Sequence, residues 1–508
     1  MNNNGHKIFL RAKKLDIQAG HPWVVVLHQK DALRYGLRSG DELIFKWHRH
    51  RTVVMVNVTA LTEAIDLVKP GFVGVFRDIT NTYKIQNNNL IEFLLPGQPI
   101  SVKAIQKKLL GGRLSYSEIY SIIKDIVDHR LDEVQIAFFV ASAFDKASFS
   151  REEMYFLTKA MAGTGEMLHF NNRVADKHSV GGLPGNRVTP ILVAILAGEG
   201  ICIPKTSSRA ITSAAGTADS FEVIAPVQLD IKKIKRVVKK TNGCLVWGGA
   251  VKLAPADDRI LKTMYHLGIE PFSKMVVSIM AKKLAMGAKY LIIDMPVGKT
   301  AKVKNMKEAR ELKSLFKYIA NRFGVKIYVA ISKANGPIGR GIGPSLEARD
   351  ILRVLQQKEN RPMDLEKKST IVAGKLLELC GKAPKGKGIL IAEQSLRLRK
   401  AWRKMQEIIK AQGGNQNINS ERIQQGTVQL AIKSKKNGRI IDIDNKNLVE
   451  ICRLLGAPSE KKAGVYIHKV VGDKIKKGEI LFTMYTVSQL HIKLAETALK
   501  EIDIFKIK

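Results

Sequence analysis

The sequence ADKHSVGGLPGNRVTP (175–190) leads directly into the apolar run ILVAILAGEG (191–200). Its glycine-rich centre stands between a charged segment and a buried one, which predicts a turn whose backbone N–H groups surround an anion. A helix that begins near Thr189 would add the partial positive charge of its N-terminus. The spacing fits neither a P-loop nor a GxGxxG motif, so the residues alone also allow a purely structural turn.

Continuous apolar runs alternate with helical segments from about residue 170 onward. Runs of this kind that end in glycine-rich turns are typical of strands buried on both faces of a sheet. They predict a mixed α/β domain over residues 171–420. The runs assigned to strands are ILVAILAG (191–198), CLVWGG (244–249), KYLIIDMPVG (289–298) and KIYVAIS (326–332).

The rest of the chain shows different patterns. Short apolar runs broken by Gly and Asp predict a small β-rich domain over residues 1–88. Two capping boxes, one at Ser115 and one at Ser150, precede apolar residues on one helix face and predict a helical domain over residues 95–170. Turn pairs between short strands predict an α+β domain over residues 425–508.

The composition is that of a globular protein with a strong positive charge. The 508 residues are 45% hydrophobic, and the formal net charge is +38. Because the lysines are spread along the chain, we interpret the charge as solvated helix faces that also attract anionic substrates. No apolar segment approaches about twenty residues, the N-terminus has no apolar signal region, and the cysteines are isolated. We therefore expect a cytoplasmic protein without membrane spans.

Further segments carry polar groups suited to an anionic ligand. KTSSRAITSAAGTADS (205–220) is dense in hydroxyls, which can wrap an anion or merely cap a serine-rich loop. Ser278 and Lys282 are spaced to share one helix face. Lys302 follows the run YLIID, at the end of a strand where ligands bind in open α/β sheets. Glu270 precedes a proline at a predicted helix start, which an ordinary surface residue also explains.

Four segments together resemble the thymidine phosphorylase family of nucleoside phosphorylases. They are DKHSVGG (176–182), SSRAITSAAGT (207–217), LAPADD (253–258) and SIMAKKLAMG (278–287). The β-rich domain at the N-terminus and the form LPGN (183–186) resemble the archaeal branch of that family, the AMP phosphorylases. The resemblance implies an α/β fold in which a cleft separates the helical domain, completed by about residues 256–288, from the large α/β domain.

The resemblance also implies a set of site residues. The implied phosphate ligands are Lys177, Ser179, Thr189, Ser207 and Thr217. The implied AMP ligands are Gly182, Ser208, Arg209, Ala210, Ile211, Thr212, Ser213, Thr217, Ser278, Lys282 and Lys302. Glu270 takes the place of the aspartate that donates a proton in the archaeal branch, so its carboxyl is displaced by one methylene. Thr263 stands where the pyrimidine enzymes hold the base with an arginine, which argues against a dedicated thymidine enzyme.

The reaction implied by the resemblance is phosphorolysis of AMP, and of other nucleoside 5′-monophosphates such as CMP and UMP, to free base and ribose 1,5-bisphosphate. Inorganic phosphate is the co-substrate, Lys177 is expected in a loop exposed to the cleft, and no metal or organic cofactor is expected. We expect a homodimer or larger homo-oligomer without membrane or specific nucleic-acid partners. One alternative is a phosphorylase of unphosphorylated thymidine or uridine. A second is a basic nucleic-acid-binding protein whose glycine-rich turn contacts backbone phosphates.

Overall fold

The computed structural model describes residues 7–20, 22–59, 67–95, 99–142, 149–171, 173–210, 213–251, 253–267 and 272–508. The chain divides into two compact units. The first comprises Met1–Ala160 with Asp258–Ile269, and the second comprises Met161–Asp257 with Glu270–Lys508. All described residues that the sequence predicts to bind phosphate or AMP belong to the second unit.

The first unit begins with a closed β-barrel. Its elements are β1 (Lys7–Leu15), β2 (Val24–His28), α1 (Gln29–Tyr35), β3 (Glu42–Trp47), β4 (His50–Thr59), β5 (Phe72–Phe76), α2 (Arg77–Tyr83) and β6 (Leu90–Leu94). The strand order is β1-β5-β2-β4-β3-β6, and antiparallel pairing of β1 with β6 closes the ring. Side chains of β1 alternate between the exterior and the core, where Ile8, Leu10 and Ala12 are buried, as a barrel wall requires.

Helices complete the first unit. They are α3 (Ile100–Leu109), α4 (Tyr116–Val127), α5 (Glu133–Ala141) and α6 (Arg151–Gly163), joined by α10 (Pro255–Leu267) from Asp258 onward. The Ser115 side chain accepts the Glu118 N–H while the Glu118 carboxylate accepts the Ser115 N–H. Ser150 and Glu153 make the same exchange before α6. Both predicted helix starts are confirmed.

Parallel strands form the centre of the second unit. They are β7 (Val174–Ser179), β8 (Ile203–Ser207), β9 (Gly243–Trp247), β10 (Ala288–Val297) and β11 (Lys326–Lys333). One sheet has the order β11-β10-β7, and β8 pairs with β9 in a second. A parallel bridge between Val174 and Cys202 connects the two sheets. The mixed α/β prediction is confirmed, with three of the four predicted strand runs.

The fourth run, ILVAILAG (191–198), is a helix and not a strand. It lies in α7 (Val188–Gly198), which is buried from Val188 to Ala197. A helix buried on every side has no amphipathic period, so its sequence cannot be told from that of a buried strand by periodicity. The helix start predicted near Thr189 is correct, because α7 begins at Val188.

Further helices pack around these strands. They are α8 (Thr217–Glu222), α9 (Ile231–Thr241), α11 (Phe272–Ala285), α12 (Met306–Arg322), α13 (Pro344–Leu355), α14 (Met363–Leu379), α15 (Gly388–Arg397) and α16 (Lys400–Gln412). A large apolar cluster of this unit lies around α7, whose residues pack with Ile203, Phe221 and Ile408. In the parts of the chain that the structure describes, no helix has the length and apolar character to cross a membrane.

The C-terminal part is α+β, as predicted. Its elements are β12 (Gly341–Ile342), β13 (Val428–Lys433), β14 (Gly438–Ile443), α17 (Asn445–Leu454), β15 (Gly464–Ile467), β16 (Lys474–Ile475), β17 (Ile480–Thr486), α18 (Gln489–Ala498) and β18 (Phe505–Ile507). One sheet has the order β12-β15-β17-β13 and another β16-β14-β18. Because β12 comes from the α/β segment, this pairing ties the two parts of the second unit together.

Candidate active site

Two predicted phosphate ligands lie at the carboxyl end of β7, beside β10. Ser179 is in register with Asp294 of β10, and its hydroxyl donates to Asp294 Oδ2 at 3.1 Å. The Lys177 ammonium group is 3.7 Å from the same oxygen. Thr189, in the first turn of α7, accepts a hydrogen bond from Lys177 Nζ at 3.3 Å. The structure therefore brings Lys177, Ser179 and Thr189 together around one buried carboxylate.

The glycine-rich turn packs against the segment that carries Lys302. Gly181, Gly182 and Gly185 have φ angles of 98°, 92° and 69°, in the left-handed region that favours glycine. A Cβ atom on Gly182 would lie 2.5 Å from the Lys302 backbone nitrogen, so a larger residue would force the chain apart. A Cβ atom on Gly181 would lie 3.7 Å from Lys302 Cε. Two predicted AMP ligands, Gly182 and Lys302, are thus neighbours.

Lys177 is buried, in contrast to the expected exposed loop, with 1% of its side chain accessible. It lies on β7, which has β10 on one side and is bridged to the β8 segment on the other. Burial lowers the pKa of Lys177 to about 8; Asp294 opposes this change, whereas Lys368 and Arg187 reinforce it. The lysine therefore belongs to a compact buried group of charges.

Asp294 contacts residues that the sequence analysis missed. Asn186 Nδ2 donates to Oδ2 at 3.1 Å, and Lys368 Nζ of α14 is 3.1 Å from Oδ1. Burial alone would raise the pKa of Asp294, but Lys177 and Lys368 outweigh burial and hold it below its ordinary value. Asp294 could have been found from the sequence, because it stands at the end of the apolar run YLIID. Lys368 could not, because its helix contains none of the motifs.

In the serine-rich segment 205–220, Asp219 of α8 binds the described residues that follow β8 and precede α8. The Asp219 carboxylate accepts the N–H of Ala210 at 2.7 Å and that of Gly216 at 2.8 Å. The Ala218 N–H donates to the Ser208 carbonyl at 3.2 Å. These bonds bring the predicted ligands Ser208 to Ala210 next to Thr217. Ser207 ends β8, and its buried hydroxyl has no hydrogen-bond partner among the described residues.

Arg209 is held by two carboxylates. It donates to Asp219 at 3.0 Å and to both oxygens of Glu222, at 2.8 and 2.7 Å. The hydrogen bond from Arg209 lowers the pKa of Glu222 to about 2. The guanidinium group also lies 5.0 Å from the centre of the Trp247 ring. Its positive charge is therefore compensated within the loop.

Arg187 is another residue that the sequence analysis missed. It donates to Thr217 Oγ1 at 3.3 Å and to the Ala215 carbonyl at 2.7 Å, so it fixes the serine-rich loop beside the start of α7. The buried carboxylate of Glu347 pairs with its guanidinium group and also accepts the Ser220 hydroxyl. Arg187 therefore positions Thr217, a predicted ligand of both phosphate and AMP.

Ser278 and Lys282, predicted to share a helix face, both bind Asp257. The Ser278 hydroxyl donates to Asp257 Oδ2 at 2.5 Å, and Lys282 Nζ is 2.8 Å from the same oxygen. Lys274 Nζ is 3.4 Å from Oδ1. Asp257 belongs to the segment LAPADD, so the structure gives this motif a physical role: it holds two predicted AMP ligands on α11 in one geometry.

A third buried aspartate repeats this arrangement. Asp176 on β7 pairs with Lys283 at 2.8 Å and with Lys205 at 3.4 Å. Burial lowers the pKa of Lys205 to about 7, although Asp176 opposes the change. Burial, assisted by Lys283 and Lys205, holds the pKa of His178 well below its ordinary value, so this imidazole is neutral at physiological pH.

The three buried aspartates thus each hold two lysines. In the group around Asp294, two ammonium groups and one carboxylate leave one net positive charge. An excess of buried positive charge close to a glycine-rich turn suits anionic ligands, because unpaired buried charge is costly and an anion compensates it.

Three predicted site residues, Ile211, Thr212 and Glu270, lie outside the described residues.

Comparison with known families agrees with this arrangement of domains. The family described as "Glycosyl transferase family, a/b domain" matches residues 171–401, and its helical bundle domain matches residues 102–165. The pyrimidine nucleoside phosphorylase C-terminal domain matches residues 439–505. In fold alone, the chain is similar to anthranilate phosphoribosyltransferase from Thermus thermophilus, with a TM-score of 0.51 at 16% identity over 61% of this chain and 99% of that one.

The chain belongs to the glycosyl transferase family that includes the nucleoside phosphorylases. Within that family it is similar over almost its whole length to AMP phosphorylases. The AMP phosphorylase of Pyrococcus furiosus is 43% identical over 502 residues, which cover 98% of this chain and 97% of the relative. That of Thermofilum pendens is 41% identical over 493 residues, covering 97% and 94%. The resemblance predicted from the four sequence segments is confirmed.

Proposed function

We propose that this protein is an AMP phosphorylase. An oxygen of inorganic phosphate forms a bond to C1′ of the ribose, the C1′–N bond to the base breaks with its electron pair leaving on the base, and the base takes up a proton. The products are the free base and ribose 1,5-bisphosphate, and CMP and UMP react in the same way. The observation that carries the proposal is the grouping of Lys177, Ser179 and Thr189 around Asp294, beside the glycine-rich turn.

Two anionic groups, the attacking phosphate and the 5′-phosphate, come close together in this reaction. Their repulsion must be offset by cations and hydrogen-bond donors that are already in place. The lysines paired with Asp294 supply an excess of positive charge. Hydroxyl groups at Thr189 and Ser207 add neutral donors, and Ser179 adds a third when its hydroxyl turns from Asp294 to the phosphate. We assign the proton of the departing base to Glu270, in line with the resemblance.

The proposal extends to the form in which the enzyme works. Inorganic phosphate is the co-substrate, without a metal or organic cofactor, and the enzyme acts in the cytoplasm as a homodimer or larger homo-oligomer. Full activity after dialysis against EDTA would support the metal-free reaction, and sedimentation of the purified chain as a monomer would contradict the oligomer.

The decisive experiment supplies phosphate with AMP, CMP, UMP, adenosine or uridine and measures free base and phosphorylated ribose. We expect base release from the monophosphates, with ribose 1,5-bisphosphate formed in equal amount and no release without phosphate. Release from uridine with none from AMP would instead identify a phosphorylase of unphosphorylated nucleosides. Absence of phosphate-dependent release from every substrate would refute the proposed function.

A further inference from the structure

Asp294 is shared by two lysines that approach its different oxygens. Oδ2 accepts the Ser179 hydroxyl and the Asn186 amide and faces Lys177 at 3.7 Å. Oδ1 faces Lys368 at 3.1 Å. Lys368 comes from α14, a helix that contributes no residue to any of the motifs singled out in the sequence. The carboxylate thus joins the phosphate turn to a distant part of the second unit.

The charges of this group do not balance. Asp294 and Lys177 each have 1% of the side chain accessible and Lys368 has 14%, so water compensates little of the excess positive charge. Arg187 is a further cation that lowers the pKa of Lys177. Because Arg187 is paired with Glu347, the two together add no net charge. One positive charge therefore remains beside Ser179 and the glycine-rich turn.

One lysine is enough to balance the charge of Asp294. Two neutral donors and the Lys177 ammonium group already serve Oδ2, and Lys177 alone would balance the charge of the carboxylate. A second buried lysine that only completed an ion pair would cost desolvation without need. Its presence makes the group cationic, and a cationic group next to backbone N–H groups and hydroxyls binds an anion.

We propose that Lys368 is a second cation of the phosphate site, which shares Asp294 with Lys177 and supplies the net positive charge that binds inorganic phosphate. The identity of the anion rests on the proposed function. Without Lys368, Lys177 and Asp294 form a neutral pair, and phosphate loses its electrostatic attraction although Lys177 is still present. Lys368 then affects phosphate and not the nucleotide, whose predicted ligands on α11 are held by Asp257.

Lys368→Gln tests this, because glutamine keeps a polar side chain near Asp294 but carries no charge. We expect the KM for phosphate to rise by about tenfold to a hundredfold, the loss typical of a charged hydrogen-bonding group, with little change in the KM for AMP. Lys367→Gln, at the adjacent exposed position of the same helix, should leave both values unchanged. Lys368→Arg should restore most of the phosphate affinity.

A second measurement needs no catalysis. Thermal unfolding is followed in inorganic phosphate and in chloride of equal ionic strength, without AMP. Wild type and Lys367→Gln should gain stability from phosphate, and Lys368→Gln should gain little. An unchanged phosphate KM together with an unchanged phosphate-induced Tm shift in Lys368→Gln would overturn the assignment. If wild type released no base from AMP while the Tm shift still depended on Lys368, the proposed function would fail and the phosphate site would stand.

Discussion

Ser179 and Asp294 lie opposite each other on the parallel strands β7 and β10, and the Ser179 hydroxyl donates to Asp294 Oδ2 at 3.1 Å. The register of the two strands thus places a predicted phosphate ligand on a buried carboxylate. Lys177 and Lys368 approach the same carboxylate. The negatively charged Asp294 therefore positions the side chains of an anion site. It fixes the directions of Ser179, Lys177 and Lys368, while the two lysines keep the net charge of the site positive.

Lys177→Met should abolish most phosphorolysis. Methionine keeps much of the lysine volume on β7 but removes the charge and the hydrogen bond to Thr189. Loss of one preorganised donor in an active site typically reduces kcat about 10²- to 10³-fold. Lys289→Met, at an exposed position of β10, is the matched control. Steady-state kinetics with AMP measure the effect, and circular dichroism checks that the variant is folded. Turnover at the wild-type rate in Lys177→Met would refute the phosphate assignment.

Binding of an anion at this site should weaken as the pH rises through about 8. Lys177 has its pKa lowered to about 8 and loses its positive charge above that value, whereas Asp294 stays ionised. Sulfate, whose charge is constant in this range, serves as a competitive inhibitor against phosphate. Its inhibition constant should be steady below pH 7.5 and rise by about tenfold per pH unit well above 8, as expected for one titrating group.

The matched variant for the pH experiment is Lys177→Arg. A guanidinium group does not deprotonate in this range, so the inhibition constant of sulfate should then stay flat from pH 7 to pH 9.5. The same rise in both proteins would assign the titration to another group.

Asp257→Asn should impair AMP binding and spare phosphate binding. Asp257 holds Ser278 and Lys282, and an asparagine cannot balance the charge of Lys282 and Lys274. We expect the KM for AMP to rise by about tenfold or more, as for loss of a charged hydrogen bond, while the KM for phosphate changes little. Glu311→Gln, at an exposed position of α12, is the control. Equal increases in both KM values would show that Asp257 supports the whole unit rather than the nucleotide ligands.

The features that the sequence predicts correctly are those whose signal is local. The capping boxes at Ser115 and Ser150, the strand run that ends at Asp294 and the shared face of Ser278 and Lys282 all depend on residues within a few positions of one another. The contacts that it missed join distant parts of the chain: Ser179 and Asp294 are 115 positions apart, and Lys368 approaches Asp294 from another helix. No periodicity encodes such pairs.

The strand assigned to ILVAILAG failed for a related reason. Complete burial removes the polar face by which a helix is distinguished, and the apolar cluster around α7 consists, apart from Ala175, of residues that follow the helix in the sequence. Lys177 was expected in an exposed loop but is buried, because β7 lies between β10 and the segment that leads into β8. Burial is a property of tertiary packing, which the local pattern of charged and glycine residues does not report.

Lys302 and Arg209 should respond differently to the loss of their charges. Lys302 packs over the glycine-rich turn, so Lys302→Gln should reduce kcat/KM for AMP about tenfold to a hundredfold and change the value for adenosine little. Arg209 is bound to Asp219 and Glu222, so Arg209→Gln should lower Tm and reduce activity on both substrates alike. A selective loss of AMP turnover in Arg209→Gln would show that its guanidinium group also reads the 5′-phosphate.

Glu270→Gln should slow the chemical step and leave AMP binding nearly unchanged. A purine leaves more easily when its ring is protonated, and glutamine preserves the shape of the side chain but cannot donate an acidic proton. Loss of a general acid typically costs about 10²- to 10⁴-fold in kcat. Glu270→Asp, which restores the carboxyl type of the archaeal branch, should keep substantial activity. Both variants are assayed on AMP and on a ribonucleotide whose base departs readily without protonation. If Glu270→Gln regains its turnover on the second substrate, Glu270 is the proton donor. An equal loss of turnover on both substrates would mean that Glu270 positions the nucleotide. Full activity on AMP would mean that Glu270 has no part in the reaction.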